Sequence, residues 1–433
     1  MIDIIHSRET TRLADRLTRI RERNVALDAG LMFQVAAIIQ DVRTRGDAAL
    51  IDYTARFDGC TVQAADLRVR EETLENIASG VDARVLAALR EAIRRVRFFH
   101  EFERQPTWEV ETSDGVRLGQ RITPLERAGL YVPGGTASYP SSVVMNVVPA
   151  QVAGVSRIVV ATPPRTLQEN PAVAAALIEL GVTEVYAVGG AHAVAALAFG
   201  TETVPRVDKI TGPGNRYVAA AKKLVFGVVG IDSIAGPTEV MILADDTARA
   251  SYVASDLLAQ SEHGEDASAV LVTTDERLAA DVVAELAKQA PALPRLSMIE
   301  RSLGRYGAIF VVDDMDEACA LVNELAPEHL EIVCRDEEQV ASQIRHAGAI
   351  FLGDQTPEAT GDYLAGPNHV LPTSGAARFS SALGVYDFLK RTSILRFTSE
   401  ELRQTAPMIA ELARAEGLEG HARSALIRLE GEN

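Results

Sequence analysis

Apolar residues recur with helical period through the first hundred positions. ETTRLADRLTRIRERN (9–24), LMFQVAAIIQDVRTRGDAALIDYTARFD (31–58) and DARVLAALREAIRRVRFFHEFER (82–104) therefore predict helices. From about residue 130 the texture changes. Short apolar runs rich in β-branched residues alternate with helical stretches: RIVVATP (157–163), EVYAVGG (184–190), EVMILAD (239–245), SAVLVTTD (268–275), GAIFVVDD (307–314), HLEIVCRD (329–336) and AGAIFLGD (347–354). Continuously apolar strands separated by helices predict parallel sheets covered on both faces. The strands fall into two sets, before and after the Gly/Pro punctuation at TGPGN (211–215) and AGPTE (235–239), which predicts two α/β units. Ligands of such sheets are expected at the carboxyl ends of the strands.

After residue 355 the run TPEATGDYLAGPNHVLPTSGAARFSS holds too many Gly, Pro and Ser for a regular element and predicts a long functional loop. The tail then turns helical. Thr398 and Glu401 fit a capping box, Ile409 and Leu412 fall on the apolar side of the helix it opens, and Gly417 and Gly420 interrupt before a last short helix.

The chain of 433 residues has room for two or three domains, and 47% apolar with 24% charged residues is an ordinary globular composition. A formal net charge of −17 argues against a nucleic-acid partner and leaves no broad basic surface for anionic membranes. A small-molecule ligand is the expectation. No stretch approaches the roughly 20 apolar residues of a membrane span, and MIDIIHSRETTRLADRL lacks a basic segment leading into an apolar core, so a cytoplasmic protein is expected. Cys60, Cys319 and Cys334 lack paired spacing and are expected as buried structural thiols.

Four histidines stand beside a second polar group in settings that packing does not require: Gln260 with His263, Glu328 with His329, Asp362 with His369, and Glu416 with His421. Gln260 and His263, at i and i+3, converge on one helix face as a ligand pair would. A histidine meeting the helix dipole before a left-handed Gly264 is the simpler reading of the two residues taken alone. Glu328 and His329 can divide the work of proton transfer, or form a solvated turn. Asp362 and His369 offer a carboxylate and an imidazole from a loop, both sound zinc ligands. For Glu416 and His421 the alternative is a solvated helical face. YVPGGTASYPSS (131–142) and VGGAHA (188–193) each follow a strand-like run and precede a helix, where backbone amides can accept a phosphate, although the chain contains no GxGxxG. The residues alone thus leave a zinc hydrolase and a dehydrogenase equally open.

Taken together, GLYVPGGTASYPSSVVMN, KITGPGNRYVAAAKK, GIDSIAGPTEVMILAD, DLLAQSEH, APEHLEI and TPEATGDYLAGPNHVLPTSGAARFSS resemble the histidinol dehydrogenase family, in that family's order across residues 129–393, and ARAEGLEGHA extends the resemblance to 422. The resemblance implies that Gln260, His263, Asp362 and His421 bind one zinc ion. It implies NAD-dependent oxidation of L-histidinol to L-histidine in two hydride transfers through the aldehyde, the last step of histidine biosynthesis. His329 then removes the alcohol proton and Glu328 activates the water that hydrates the aldehyde. Thr238, His369 and Glu416, with His329 and the zinc ligands, contact substrate. Tyr131, His192 and Asn215 fall on the NAD contacts, where His192 replaces a usual glutamine and can donate one hydrogen bond but not supply both amide functions.

The implied architecture is α/β, with two incomplete Rossmann-like units and small N- and C-terminal helical segments forming an intertwined homodimer with shared active sites. Residues 25–108 and 237–367 are expected to form a first domain carrying zinc and the acid/base pair, 129–236 a second on the NAD side, 1–24, 109–128 and 368–383 a small connecting domain, and 384–433 a helical tail that completes the partner's site. A related dehydrogenase of another small polar alcohol, a zinc hydrolase and a metal-stabilised binding protein are the alternatives.

Overall fold

The computed structural model describes residues 2–23, 28–134 and 139–430. The chain divides into two compact units, Met1–Glu103 with Leu125–Phe388, and Arg104–Pro124 with Leu389–Asn433.

The first unit holds two six-stranded sheets. One is parallel throughout, in the spatial order Ile4–His6, Ala308–Val311, Ser268–Thr273, Glu239–Ala244, His329–Val333, Ala349–Leu352. Its central strands Glu239–Ala244 and Ser268–Thr273 are buried at every position, which is why their sequences do not alternate. The other runs Arg68–Val69, Glu184–Ala187, Arg157–Thr162, Arg127–Tyr131, Lys209–Thr211, Gly230–Ile231. It is parallel except for the antiparallel first pair. All seven expected strands are present. The helix Gly190–Phe199 is buried from Ala191 through Ala198, so its alanine-rich sequence reflects packing on every side.

Two expected groupings fall elsewhere. Ile4–His6 pairs with Ile309–Val311 and so belongs to the sheet of 239–352, not to a separate connecting domain. The helix Ala29–Arg45 packs into the core of the other sheet, its Leu31, Val35 and Val42 sharing a cluster with Tyr186, Val194 and Ile210, rather than joining 237–367. Helical periodicity gives the apolar face of a segment but not the sheet that face will cover.

The second unit carries an antiparallel sheet, Leu389–Arg396, Arg117–Pro124, Trp108–Glu111, and two helices, Ser399–Ala415 and Glu419–Leu426. The strand Leu389–Arg396 lies in the tail expected to be helical; its polar sequence pairs on one side only and carries no apolar run to announce it. Thr398 caps the next helix by accepting from the Glu401 amide at 3.1 Å, as the capping box predicts. The buried side of that helix is Ala406, Ala410 and Ala413, whereas Leu412 is 70% exposed and Ile409 39%. Small residues let the two helices approach closely, and the larger apolar ones face outward. Gly417 interrupts with φ 77°, while Gly420 lies within the last helix. Cys319 and Cys334 are buried as expected, and Cys60 only half so. No described helix is long and apolar enough to cross a membrane.

Candidate active site

The two sheets of the first unit contribute opposite ends of their strands. Tyr131 ends the strand Arg127–Tyr131, Gly190 opens the helix that follows Glu184–Ala187, and Asn215 follows Lys209–Thr211, so these groups lie at carboxyl ends, as expected. Thr238 immediately precedes the strand Glu239–Ala244, Glu328 precedes His329–Val333, and His329 is that strand's first residue. Glu328 and His329 therefore sit at amino ends, as their place before the strand LEIVC implied, whereas ligands of such sheets were expected at carboxyl ends. The strands supply rigid starting points there, and the helix Ala250–Ser261 delivers Gln260 from its last turn, with His263 just beyond.

These groups surround a cavity of about 410 Å³ lined by Thr238, His263, Glu328, His329, Glu358, Asp362, His369 and Asn215 among others. Glu328 is 6% exposed and His329 4%, which excludes the solvated turn. Glu328 Oε2 accepts from Thr238 Oγ1 at 2.6 Å and from the Glu239 amide at 2.9 Å. Burial nonetheless pushes its carboxyl up to about 8. His329 Nδ1 donates to the Glu239 carbonyl at 3.0 Å, which fixes the tautomer and leaves Nε2 buried without a partner. Burial lowers the imidazole pKa, so the ring is held neutral with its lone pair exposed to the cavity.

Gln260 is fully buried. Its Nε2 donates to Thr238 Oγ1 at 3.1 Å and its Oε1 has no partner. His263 Nδ1 lies 3.1 Å from the Ala259 carbonyl and 3.3 Å from that of Gln260, which caps the helix end and turns Nε2 outward. The capping and ligand readings of this pair are thus compatible, although Gly264 does not adopt the left-handed conformation. Asp362 belongs to a short helix, Glu358–Tyr363, where a loop was expected. Its carbonyl accepts from His369 Nδ1 at 3.0 Å, and His369 Nε2 lies 3.5 Å from Ser142 Oγ. Glu416 and His421 lie exposed in the second unit, at the end of one helix and within the next.

Several polar residues around the cavity carry no sequence signal. Arg23, whose side chain is 2% exposed, pairs with Glu239 and donates to the carbonyls of Thr238 at 2.9 Å and Asp266 at 2.7 Å, tying the Thr238 backbone in place. Glu358 is buried with both carboxyl oxygens unpartnered and its pKa well up, chiefly through burial. Oε1 of Glu358 lies 3.5 Å from His329 Nδ1, and ligand atoms of His329, Glu358 and Asp362 all fall within 4.8 Å of one another. Glu331 alone was readable, as an acid inside the apolar strand HLEIV. Its carboxyl accepts from the Glu358 amide at 2.7 Å.

A second cavity, of about 640 Å³, opens on the other sheet and is lined by Tyr131, His192 and Asn215 together with Phe57, Asp58, Pro163, Arg165, Thr166 and Tyr217. Tyr131 Oη accepts from the Gly190 amide at 3.0 Å. His192 is fully buried, its Nε2 lies 3.5 Å from Thr54 Oγ1, its Nδ1 has no partner, and burial lowers its pKa to about 3, so it is neutral. Asn215 caps the helix Arg216–Val225 with its side-chain oxygen and lines both cavities. The turn before it needs Gly212, at φ 113°, because a Cβ there would meet the Tyr131 carbonyl at 2.1 Å. Residues 135–138 of the first glycine cluster lie outside the described residues.

A cavity large enough for a nucleotide at strand carboxyl ends, joined through Asn215 to a buried acid and a neutral imidazole, is the arrangement of an α/β enzyme with groups suited to proton transfer on a small ligand. The histidinol dehydrogenase family profile matches residues 21–429. The chain is 52% identical over 397 residues to the histidinol dehydrogenase of Geobacillus kaustophilus, covering 92% of this chain and 93% of the relative. It is 51% identical over 415 residues to that of Bacillus subtilis, covering 95% and 96%. The crystal structure of histidinol dehydrogenase from Elizabethkingia anophelis matches with a TM-score of 0.88 at 36% identity, over 92% of each chain. The chain belongs to the histidinol dehydrogenase family, and its reaction is the oxidation of histidinol in histidine biosynthesis.

Proposed function

We propose that the chain oxidises L-histidinol to L-histidine through L-histidinaldehyde, with two NAD and one water consumed, and with one zinc ion at the site. The observation that carries the reading is His329, whose ring is neutral and buried with Nε2 unpartnered while its Nδ1 lies 3.7 Å from the Glu328 carboxyl. Bound NAD supplies the hydride acceptor, and bound zinc supplies a fixed anchor for the amino and imidazole nitrogens of the substrate.

His329 Nε2 takes the hydroxyl proton as the carbinol carbon gives up its hydride, because Nδ1–H is committed to the Glu239 carbonyl. Glu328, ionised, takes a proton from the water that adds to the aldehyde carbon. Its Oε2 is held by Thr238 and the Glu239 amide, which leaves Oε1 for that water. His329, once Nε2 has released the first proton to solvent, takes a hydroxyl proton of the hydrate in the second oxidation.

Gln260, His263 and Asp362, with His421, hold the metal in this reading. The orphaned Oε1 of Gln260 is a buried acceptor without a donor, a deficit that a cation removes. The carbonyl-held Nδ1 of His263 is the arrangement that presents Nε2 to a metal. An N/O donor set of this kind suits zinc. Thr238 and His369 face the substrate from the cavity wall, and Glu416 offers a carboxylate that can accept from a substrate N–H. The cleft of Tyr131, His192 and Asn215 receives NAD.

The test is a stopped-time assay with L-histidinol and NAD. Two NADH should appear per histidine formed, and prior chelation should abolish both. One NADH per substrate consumed, or full activity after the metal has been removed, would overturn the reading.

A homodimer places His421 and Glu416 of one chain in the site of the other. Support comes from the second unit, whose Leu395, Met408 and Leu412 are 66%, 59% and 70% exposed and would be covered by a partner. Mixing His421→Ala with His263→Ala protein should form heterodimers that regain one intact site, hence activity absent from either parent. Heterodimers verified by mass and still inactive would exclude completion across subunits.

A further inference from the structure

Asp58 ends the widened helical turn Thr54–Asp58 and faces the VGGAHA turn, where a Cβ on Gly189 would meet its Oδ2 at 3.4 Å. That oxygen is buried with no hydrogen-bond partner. Burial raises the carboxyl pKa while Arg165 acts against it. Two donated hydrogen bonds would relieve that burial.

In the common dinucleotide fold the amides that open the helix after such a turn take the pyrophosphate, and a separate acidic residue takes the ribose hydroxyls. Here the Gly190 amide already donates to Tyr131 Oη, and a carboxylate faces the turn. A phosphate at this place would meet like charge. A hydroxyl group would meet an acceptor that lacks a donor.

Asn215 lines both cavities, so the reacting end of the nucleotide points toward it and His329. Phe57, Asp58, Arg165 and Thr166 line the cofactor cavity alone, which assigns them to the adenosine half. Thr166, 2% exposed, likewise has an unpartnered Oγ1 there. Phe57, 52% exposed, stacks on Tyr53 beside it as a pair of parallel rings.

We propose that Asp58 determines cofactor choice: its carboxylate accepts the hydroxyls of the adenosine ribose and excludes a 2′-phosphate, so the chain uses NAD and refuses NADP. The inference rests on the NAD reading above. Arg165 is the cation left to attract a 2′-phosphate once the Asp58 charge is gone.

Asp58→Asn should raise KM for NAD about 10- to 100-fold, the loss of a hydrogen bond to a charged group. KM for L-histidinol should stay within about twofold, and the preference for NAD over NADP should fall by at least the same factor as KM rises. Adding Arg165→Ala should cancel the gain with NADP. Fluorescence titration with NADH and NADPH, without substrate, should report the same shifts in Kd. Asp58→Ser run in parallel serves if the Asn protein does not fold. A folded variant with unchanged NADH and NADPH affinities overturns the proposal, as does a wild-type chain that binds both nucleotides alike. Wild-type protein that binds NADH but leaves L-histidinol unoxidised overturns the substrate reading instead, so the two failures are distinct.

Discussion

His329→Asn will lower kcat with L-histidinol by about 10²- to 10⁴-fold, the usual contribution of a positioned proton-transfer group. Asparagine can still donate to the Glu239 carbonyl, as His329 Nδ1 does at 3.0 Å, so the strand should start unchanged. What disappears is the second ring nitrogen, the buried and unpartnered Nε2. NADH formation and the thermal midpoint, measured together, separate the two roles: turnover should collapse while the midpoint holds. Wild-type turnover in the folded variant would remove Nε2 as the base.

The neighbouring acid adds a pH signature. Glu328 is pushed up to about 8 by burial, from an ordinary carboxylate value of 4.5, so it is largely protonated at neutral pH and must ionise to activate water. With supplied aldehyde, kcat/KM should therefore rise with pH toward that value, and Glu328→Gln should abolish the rise along with most of the second oxidation. A cation bound nearby shifts the rise to lower pH, because positive charge favours the carboxylate. Stability must move the opposite way. The native state favours the protonated form, so the contribution of this group is complete below pH 4.5 and is lost as pH rises through about 8. Urea midpoints across this range, compared with those of Glu328→Gln, check the sign.

Arg23→Ala should lose about 3–5 kcal/mol of stability, the cost of removing one member of a buried ion pair. The Arg23 side chain is 2% exposed and that of Glu239 11%, and the Glu239 carboxyl already lies above its ordinary pKa because of burial. Without the guanidinium, Glu239 keeps the Ser374 amide, at 2.9 Å, but no longer has its paired cation, and the Thr238 carbonyl is left with the Ser268 amide alone, at 3.1 Å. The loss should reach function as well, because Thr238 Oγ1 donates to Glu328 and the Thr238 carbonyl would keep one of its two donors. Denaturant melts give the first effect, and kcat/KM under native conditions the second. Arg23→Ala combined with Glu239→Gln should recover part of the stability. A loss below about 1 kcal/mol, the scale of an exposed pair, would mean that the pair is solvated rather than structural.

The strands of both parallel sheets were legible because full burial on two faces demands runs such as EVMILA and SAVLVT, whatever lies next to them. The histidines and acids of the site were legible as residue types placed next to sheet and helix ends. The direction of the site was not. Strand order and helix return decide which end of a strand meets the neighbouring sheet, and here the amino ends of one sheet and the carboxyl ends of the other contribute the two cavities. Leu389–Arg396 was missed for a related reason, since an antiparallel strand with six of eight residues exposed has almost no apolar pattern to read.

The chain by itself determined its parallel α/β elements, its absence of basic patterning and a set of motifs specific enough to point to one family. Tertiary structure alone decided that Glu328 and His329 are buried rather than solvated, that Arg23 is joined to Glu239 across more than two hundred positions, and that Asp58 faces the turn at Gly189. The reason is physical. Apolar periodicity and turn chemistry act over a few residues and leave a trace in local sequence, whereas desolvation and pairing of charges depend on which distant segments close around a group. Burial of this kind is what moves Glu328, His329 and Glu358 away from their ordinary values.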